Sequence, residues 1–317
     1  MSKKRGILFT AVLVIFCICS LMLTHSINAA QDTKPVREVS VICRSADTEE
    51  WSTIKLGIDQ AAKDLGVDAN FITLTGRNNT NEQIFLLNRE AKGGASAVVM
   101  MPVSSPELTE PVHNALKNIP IVAMQSKVSG IKDMQIVACD NVGMGISLAQ
   151  EIVREERHPA VPAVILRSSV NSSNETDFQK GLQKGLRGRN LFYCDIPSNH
   201  AEAAAAVRNC FLGHADAFFV ALNAETLGLA AQVKETGNFK IHLYGAGRTN
   251  QIVSMLEQKV IGAIAVENDY HMGYLGLKAA VDQMDHKKHS SIKINSRIVN
   301  SSDMYQPQNE RLLFPFV

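Results

Sequence analysis

The chain has 317 residues, of which 45% are apolar, 20% charged and 6% aromatic. This is too long and too apolar for a disordered, collagen-like or small disulfide-stapled protein, and it is long enough for about two domains. The 32 basic and 31 acidic residues nearly cancel. The chain therefore lacks the overall positive charge typical of nucleic-acid-binding proteins, and we expect no nucleic acid partner.

The first 30 residues have the order of a secretory signal. Basic residues 3–5 precede an uncharged apolar run over residues 6–23, and mostly small or polar residues follow to position 30. This run is long for a cleaved signal peptide and short for a spanning helix. Two interpretations stay open: a cleaved signal peptide, or a retained signal-anchor with membrane contact through residues 6–24. Without residues 1–30, 29 basic and 31 acidic residues remain, so the predicted exported protein, periplasmic or at the cell surface, carries a net charge of −2.

Beyond residue 37, β-branched runs alternate with amphipathic helices. The helix from Trp51 carries apolar residues at a 3-4-3-4 spacing, and Gly66 ends it. Strands are expected at residues 39–43, 70–74, 97–101, 120–124, 136–139, 163–166, 191–194, 217–221, 241–244 and 263–266. Helices are expected from residue 51, from residue 80, and at residues 107–118, 142–155, 175–186, 201–211, 225–235, 250–257 and 271–283.

Two helix starts are predicted to form capping boxes. In each, a hydroxyl side chain precedes an amide or carboxyl side chain by three residues: Thr80 with Gln83, and Ser172 with Glu175.

The element order predicts an α/β fold. Apolar strands joined by helices indicate parallel sheets with right-handed crossovers. Some ten strand–helix steps exceed one small sheet, so we predict two doubly wound parallel-sheet lobes. The strand count alone also allows a closed barrel.

Four cysteines lie outside the predicted signal, namely Cys43, Cys139, Cys194 and Cys210. None forms a C-x-x-C pair, so we expect no zinc site. Three of them stand in strand-like apolar runs, which favours buried free thiols over a disulfide framework.

Two glycine pairs follow strands, as a dinucleotide-binding loop would. Gly143-x-Gly145 continues to Leu148 where a third glycine is needed, and Gly245-x-Gly247 has the same fault. We interpret both as tight turns and expect no cofactor.

No nucleophile elbow, metalloprotease motif or phosphate-binding loop is present. Glu267, Asp269 and His271 are close in sequence near a strand end, but nothing in their spacing supports a metal geometry. We therefore expect no catalytic residue and no metal.

The order of segments resembles a known family. "VSVICRSADTEEWSTIKLGIDQAAKDLG" looks like the opening of the type I periplasmic binding proteins for ribose, xylose and similar sugars. "NNTNEQIFLLNREAKGGASAVVMMPVSSPEL", "IPIVAMQS", "VACDNVGMG", "FFVALNAETLGLAAQV" and "GAIAVENDYHMGYLGLKAA" continue the likeness, which covers residues 38–290.

The resemblance implies two lobes joined by a three-crossing hinge around a ligand cleft. The crossings would fall near Cys139-Asp140, near Val266-Glu267 and about residues 292–297. An N-terminal lobe would comprise residues 38–139 and 268–293, and a C-terminal lobe residues 140–267 and 297–317. Closure around a ligand by hinge motion is common in such two-lobed proteins.

The resemblance also implies which residues bind ligand. Trp51 falls where the family has an aromatic side chain packing on the sugar ring, although it could simply begin the apolar stripe of its helix. Asp47 and Thr48 fall in a loop that supplies polar side chains. Asn174 matches an amide used by the xylose-like branch, or a helix cap. Asn223 matches the Asn after the eighth strand.

Two further matches are less specific. Glu267 falls at a hinge position commonly occupied by Gln, and His200 falls where many members have a second aromatic residue. A histidine could stack and also hydrogen-bond, but a surface histidine at a helix start is the plain alternative.

Three charged groups of the family are missing. The Asp-Arg pair after the fourth strand is Gln125-Ser126 here, and Gln125 takes the clamp position in the expected site. The Arg of the second lobe's first helix is replaced by Thr176, and the Asp after the ninth strand by Gly247. A hydrogen bond to a charged group contributes about 1.5–3 kcal/mol, so an ordinary pentose or hexose would bind weakly.

We therefore expect a different ligand, or weak or partner-dependent binding. Arg44, Arg248 and Glu267 are the residues that could supply new charges.

The leading interpretation is an extracytoplasmic solute-binding protein that captures a small polar, carbohydrate-like ligand for an ABC permease. One alternative is a membrane-tethered sensor acting on a two-component histidine kinase, and a remote one is an α/β enzyme. An export signal stands where a lac-repressor-like transcription factor would carry its DNA-binding helices.

Overall fold

The computed structural model describes residues 16, 18, 20, 22, 37–44, 48–76, 78–132, 134–168, 172–288 and 290–315. The chain divides into two compact units, Met1–Arg37 and Glu38–Val317. In the first unit, residues 16, 18, 20 and 22 are helical, and the rest of the predicted signal lies outside the described residues. None of the helices in the described residues is both long and apolar enough to cross a membrane.

The second unit alternates strands and helices. The strands are β1 (Glu38–Cys43), β2 (Asp68–Thr73), β3 (Ala97–Met100), β4 (Ile121–Met124), β5 (Gln135–Cys139), β6 (Ala163–Ser168), β7 (Leu191–Ile196), β8 (Phe218–Ala221), β9 (His242–Ala246), β10 (Ala263–Glu267), β11 (Ile292–Ile294) and β12 (Ser296–Asn300). The helices are α1 (Thr48–Leu65), α2 (Thr80–Gly93), α3 (Thr109–Ala115), α4 (Asn141–Glu155), α5 (Ser173–Gly185), α6 (His200–Gly213), α7 (Ala224–Thr236), α8 (Asn250–Glu257), α9 (Asp269–Met284) and α10 (Pro307–Leu313).

The strands form two six-stranded sheets. Their orders are β11-β5-β4-β3-β1-β2 and β12-β10-β9-β8-β6-β7. All neighbouring strands are parallel except β12, which runs antiparallel to β10. The prediction of two doubly wound α/β lobes is confirmed, and the closed barrel is wrong. We call the lobe built on the first sheet the first lobe and the other the second lobe.

The ten strands expected from sequence are present, with ends shifted by one or two residues. The C-terminal elements β11, β12 and α10 were not expected. Two of them extend the sheets at an edge, so their residues are only partly buried and carry no strong apolar pattern.

The chain passes between the lobes three times, and the three passages meet. The first follows Cys139, the second lies between Glu267 and Asp269, and the third is at Asn295. The Cys139 thiol and the Asn268 backbone N–H both donate to the Asn295 carbonyl oxygen, at 3.7 Å and 3.1 Å. These bonds tie the strands of the hinge together beside the cleft.

Each lobe holds one pair of helices in backbone contact. Helices α1 and α9 meet at Gly57, where a Cβ atom would lie 2.0 Å from the Tyr270 carbonyl oxygen. Helices α4 and α5 meet at Gly145, where a Cβ atom would lie 2.3 Å from the Phe178 carbonyl oxygen. Gly145 thus serves helix packing, in place of the tight turn that the sequence suggested.

One cysteine prediction is wrong. Cys194 in β7 and Cys210 in α6 form a disulfide bond, with Cα atoms 6.5 Å apart. Strand β7 is the edge of its sheet and α6 packs against it, so two distant cysteines meet without any local motif. Cys43 and Cys139 are buried and not disulfide-bonded, as predicted. A disulfide fits an oxidising, extracytoplasmic compartment.

Both predicted capping boxes are also wrong. Helix α2 is capped by Asn79, whose side chain accepts from the Glu82 N–H, while Gln83 is buried and bonds the Met101 carbonyl. Ser172 is the N-cap of α5 but makes no side-chain capping bond. The Glu175 carboxyl instead accepts from Ser168 Oγ at 2.6 Å.

Candidate functional site

A cavity lies where the carboxyl ends of both sheets face each other. In parallel sheets this end also presents helix N-termini, which makes it the common ligand edge of α/β folds. The cavity measures about 660 Å³, including its opening to solvent. It is lined by Arg44, Gln125, Asn141, Met144, Asn174, Phe178, Leu222, Asn223, Ala224, Ala246, Gly247, Arg248, Ala265, Glu267 and Asp269.

The first lobe contributes Arg44, which follows β1, and Gln125, which follows β4. Arg44 is only 8% exposed, and its Nη2 donates to Ser126 Oγ at 3.4 Å. Its Nε has no hydrogen-bond partner among the described residues. Gln125 has a left-handed backbone (φ 62°), a costly conformation for a residue other than glycine. This backbone turns the Gln125-Ser126 pair toward the second lobe.

The second lobe contributes two amide side chains. Asn223 caps α7 through its Oδ1, which accepts from the Thr226 N–H at 2.8 Å. Asn174, in the first turn of α5, accepts from Ser126 Oγ through its own Oδ1. In both cases the amide oxygen is engaged within the protein, and the side chain still lines the cavity.

The second lobe also places Arg248 in the cavity, 9% exposed. Its Nε and Nη2 donate to the Leu313 carbonyl oxygen at the end of α10, at 2.9 and 2.6 Å. The preceding Gly247 has φ 115°, and a Cβ there would lie 2.5 Å from that of Ala224. The aspartate that the family has at this position could not be accommodated without a backbone shift.

Two carboxyl groups near the cavity resist ionisation. Burial raises the pKa of Glu267 to about 7, although the Arg44 charge and a hydrogen bond with Cys139 oppose that rise. Burial also raises the pKa of Glu175, against hydrogen bonds from Ser168 and Asn223 and the charge of Arg44. Arg44 is therefore the cation that both carboxyl groups share.

The two lobes are joined by direct bonds across the cleft. Ser126 Oγ donates to Asn174 Oδ1 at 2.6 Å, and the Lys127 N–H donates to Ser173 Oγ at 2.7 Å. The Lys127 ammonium also pairs with Asp177 at 2.8 Å. On the other side of the cleft, the Asn250 N–H donates to Glu49 Oε1 at 2.7 Å. The molecule is in a closed arrangement.

The structure brings together four of the eight residues expected in the site. Gln125, Asn174, Asn223 and Glu267 all line the cavity. Trp51 does not: it is 6% exposed, belongs to the core of the first lobe, and its ring stacks on Phe71 at 5.5 Å between centroids.

The remaining three expected residues are not fully described. Asp47 lies outside the described residues. Thr48 begins α1 and His200 begins α6.

Several residues around the site carried no local sequence signal. Glu175 reads as an ordinary helix-start carboxylate, and Asn141 as a helix-start amide. The Leu313 carbonyl comes from the far end of the chain and reaches Arg248 only through the tertiary fold. Arg44 and Arg248 drew attention in the sequence only because the charged groups implied by the resemblance were missing and these residues could replace their charge.

The cluster of Glu267, Asp269 and His271 does not form a metal site. Within the described ranges, no group of three or more His, Cys, Asp or Glu side chains is placed to hold a metal ion. His271 instead lies 3.0 Å from the side-chain nitrogen of Asn268.

Two doubly wound lobes, three hinge passages and a polar interlobe cavity define a two-lobed solute-binding protein. A profile of the periplasmic binding protein domain matches residues 39–288, and the chain belongs to that family. This is a family of binding proteins, so the enzyme alternative is not supported and an extracytoplasmic location follows.

Individual relatives are distant. The D-allose-binding periplasmic protein of Escherichia coli (strain K12) is 24% identical over 283 residues, covering 84% of this chain and 88% of the relative. A solute-binding protein of a carbohydrate transporter from Agrobacterium radiobacter, in complex with D-arabinose, superposes with a TM-score of 0.81 at 19% identity. It covers 89% of this chain and all of its own. The Caulobacter myo-inositol binding protein gives 0.77 at 18%, covering 87% and 97%. At these identities the structural likeness shows the fold.

Proposed function

We propose that the protein captures a small polar, carbohydrate-like solute in the interlobe cleft and delivers it to an ABC permease. The observation that carries this proposal is the cavity itself, which amide, guanidinium and carboxyl side chains from both lobes line at the ligand edge of the fold. Such groups suit a ligand rich in hydroxyl groups. The named ligands of the relatives, D-allose, D-arabinose and myo-inositol, have this chemistry.

Within this proposal, Gln125, Asn174, Asn223 and Glu267 contact the ligand. Asn174 uses its amide oxygen inside the protein, so it would offer its NH₂ group to a ligand oxygen. Asn223 uses its amide oxygen for capping and also hydrogen-bonds Glu175, so it would offer the remaining N–H of its NH₂ group. Glu267 lines the cavity and stands at the second passage between the lobes, so a ligand that contacts it would also contact the hinge.

The test is a binding screen on purified residues 31–317, followed by thermal shift and calorimetry with monosaccharides, polyols and their acid derivatives. We expect at least one of them to raise the melting temperature and to bind with a stoichiometry of one. A screen without any shift or heat would count against the proposal. The variant to compare is Asn223→Asp. It keeps the size of the side chain and its capping oxygen but removes the NH₂ donor, so it should weaken ligand binding.

The partner is a separate point. Delivery to an ABC permease is supported by similar structures described as ABC-type transport components, and a histidine kinase partner has no support from the relatives. N-terminal sequencing of the exported protein shows directly whether the N-terminal segment is removed or kept as an anchor. A start near residue 31 indicates a free carrier, and an intact start indicates the tethered form that a sensor would need.

A further inference from the structure

We propose that the preferred ligand of the cleft carries a carboxylate, and that it is a sugar acid instead of a neutral sugar. The inference rests on the proposed function and specifies its ligand. It starts from two guanidinium groups that face one cavity from opposite lobes, Arg44 and Arg248.

Arg44 is a buried cation that has no carboxylate within 4.0 Å among the described residues, although its charge acts on Glu267 and Glu175. It is 8% exposed, and its only hydrogen bond in the described part of the chain is a long one, 3.4 Å, to the Ser126 hydroxyl. Its Nε is buried and has no hydrogen-bond partner in the described ranges. An unsatisfied buried donor on a charged group costs free energy, and a ligand oxygen placed at the edge of the guanidinium would recover it. A carboxylate fits that edge best, because it accepts two parallel N–H bonds.

Arg248 provides a second positive charge from the other lobe. Two of its nitrogens are fixed by a neutral acceptor, the Leu313 carbonyl, which orients the guanidinium without neutralising it. Burial lowers the pKa of Arg248, and the charges of Asp269 and Glu49 oppose that effect. Neither Arg248 nor Arg44 has a carboxylate within 4.0 Å among the described residues.

The acidic side chains around the cavity do not cancel these charges. The Glu175 carboxyl accepts a hydrogen bond from Ser168 Oγ, and burial raises its pKa. Burial also raises the pKa of Glu267. Asp269, on α9, is the remaining carboxylate of the lining. An anion held between Arg44 and Arg248 would thus meet two guanidinium groups, one from each lobe.

The same geometry makes anion binding a proton-linked event. Arg44 at the β1 end and Cys139 in β5 act directly on Glu267. Arg248 at the β9 end and Asp269 on α9 line the same cavity, and Glu175 on α5 is a second buried carboxyl group near Arg44. A bound carboxylate would raise the pKa of Glu267 further, so the complex would take up a proton. Affinity for a sugar acid should therefore decline as the pH rises from 6 to 8.5. A neutral sugar bound to ionised Glu267 would show the opposite trend.

The experiment compares matched probes on the intact exported chain: D-galacturonate, D-glucuronate and D-gluconate against D-galactose and D-glucose, by calorimetry at pH 6, 7 and 8.5. The variants are Arg44→Gln, Arg44→Lys and the control Arg154→Gln, which removes a guanidinium that is 75% exposed on α4. We expect an acid to bind more tightly than its neutral counterpart. Arg44→Gln should weaken acid binding by at least about tenfold, and Arg44→Lys should restore part of it. Arg154→Gln should change nothing.

Two outcomes would overturn the inference. If neutral sugars bind and their acids do not, the cleft is one for neutral ligands, and the proposed function still stands. If Arg44→Gln keeps its melting temperature and weakens both probe classes equally, Arg44 does not recognise a carboxylate. Should no sugar or acid bind at any pH, the proposed function fails together with this inference. The pH series on the unaltered chain gives an answer even if Arg44→Gln does not fold.

Discussion

The hydroxyl of Ser126 in the first lobe donates to Oδ1 of Asn174 in the second lobe, 2.6 Å away, at the wall of the ligand cavity. The same hydroxyl accepts from Arg44, whose guanidinium lines the cavity. Ligand contact and lobe closure thus share one oxygen atom. By the resemblance described above, this serine stands at the position of a charged clamp residue, and it bonds across the cleft as a neutral hydroxyl.

Ser126→Ala should weaken ligand binding without removing a direct ligand contact. It deletes one interlobe hydrogen bond, worth about 0.5–1.5 kcal/mol, so we expect the dissociation constant to rise by about twofold to twelvefold. Small-angle scattering should show a larger open fraction at subsaturating ligand. The control is Ser147→Ala, which removes an exposed hydroxyl bonded only within α4. An unchanged affinity in Ser126→Ala would show that the closed state does not depend on this bond.

Lys127 should make closure sensitive to salt. Its ammonium pairs with Asp177 across the cleft, and both groups are accessible to solvent. Burial would raise the pKa of Asp177, but its hydrogen bonds with Lys127 and Lys180 and their charges hold that pKa below its usual value. We expect Lys127→Ala to accelerate ligand release about twofold to fivefold at low salt, and the difference to shrink at high salt. Lys180→Ala, which removes the partner on the same helix, should leave the release rate unchanged.

The periodicity of the sequence predicted most of the fold because strands buried on both faces and one-sided helices leave a local pattern. The disulfide, the hinge bonds to Asn295 and the support of Arg248 by Leu313 could not be predicted in this way. Each joins residues far apart in the chain, and only the tertiary fold brings them together. Within the cavity, Asn174 was expected from likeness to the family and Gln125 from a departure from it, whereas the geometry of Arg44 emerged only with the cavity.

Stability should fall as the pH rises through the titration of Glu267. Its folded pKa of about 7 lies above the ordinary value of 4.5. The folded state therefore holds more protons than the unfolded state between these values, and its free energy of unfolding decreases with rising pH by up to roughly 3 kcal/mol. The raised pKa of Glu175 acts in the same direction.

Urea unfolding at pH 5 and pH 8 measures this effect, and Glu267→Gln provides the comparison. The amide has no charge to bury, so the variant should lose much of the pH dependence and be more stable than the unaltered chain at pH 8. An identical slope in both proteins would mean that Glu267 is solvated and ionised in the fold.

The disulfide should stabilise the second lobe. Cys194 and Cys210 are separated by 16 residues, and closing a loop of that size contributes about 3 kcal/mol in the chain-entropy description. We expect dithiothreitol to lower the melting temperature, and the double variant Cys194→Ala/Cys210→Ala to melt at a similarly reduced temperature. The double variant itself should not respond to dithiothreitol. A response in that variant would point to some other disulfide.

Trp51 should report the integrity of the first lobe. It is the only tryptophan of the chain, and its ring stacks on Phe71 in the core, although the resemblance to the family placed it against a sugar ring. We expect Trp51→Phe to keep ligand affinity within about twofold, and Trp51→Ala to lose about 3–5 kcal/mol of stability. Phe85→Ala, at a side chain that is 65% exposed, is the control and should cost less than about 0.5 kcal/mol. A stable Trp51→Phe protein with binding weakened more than about tenfold would restore the role that the resemblance implied, because a ring that only packs in the core tolerates replacement by another aromatic ring.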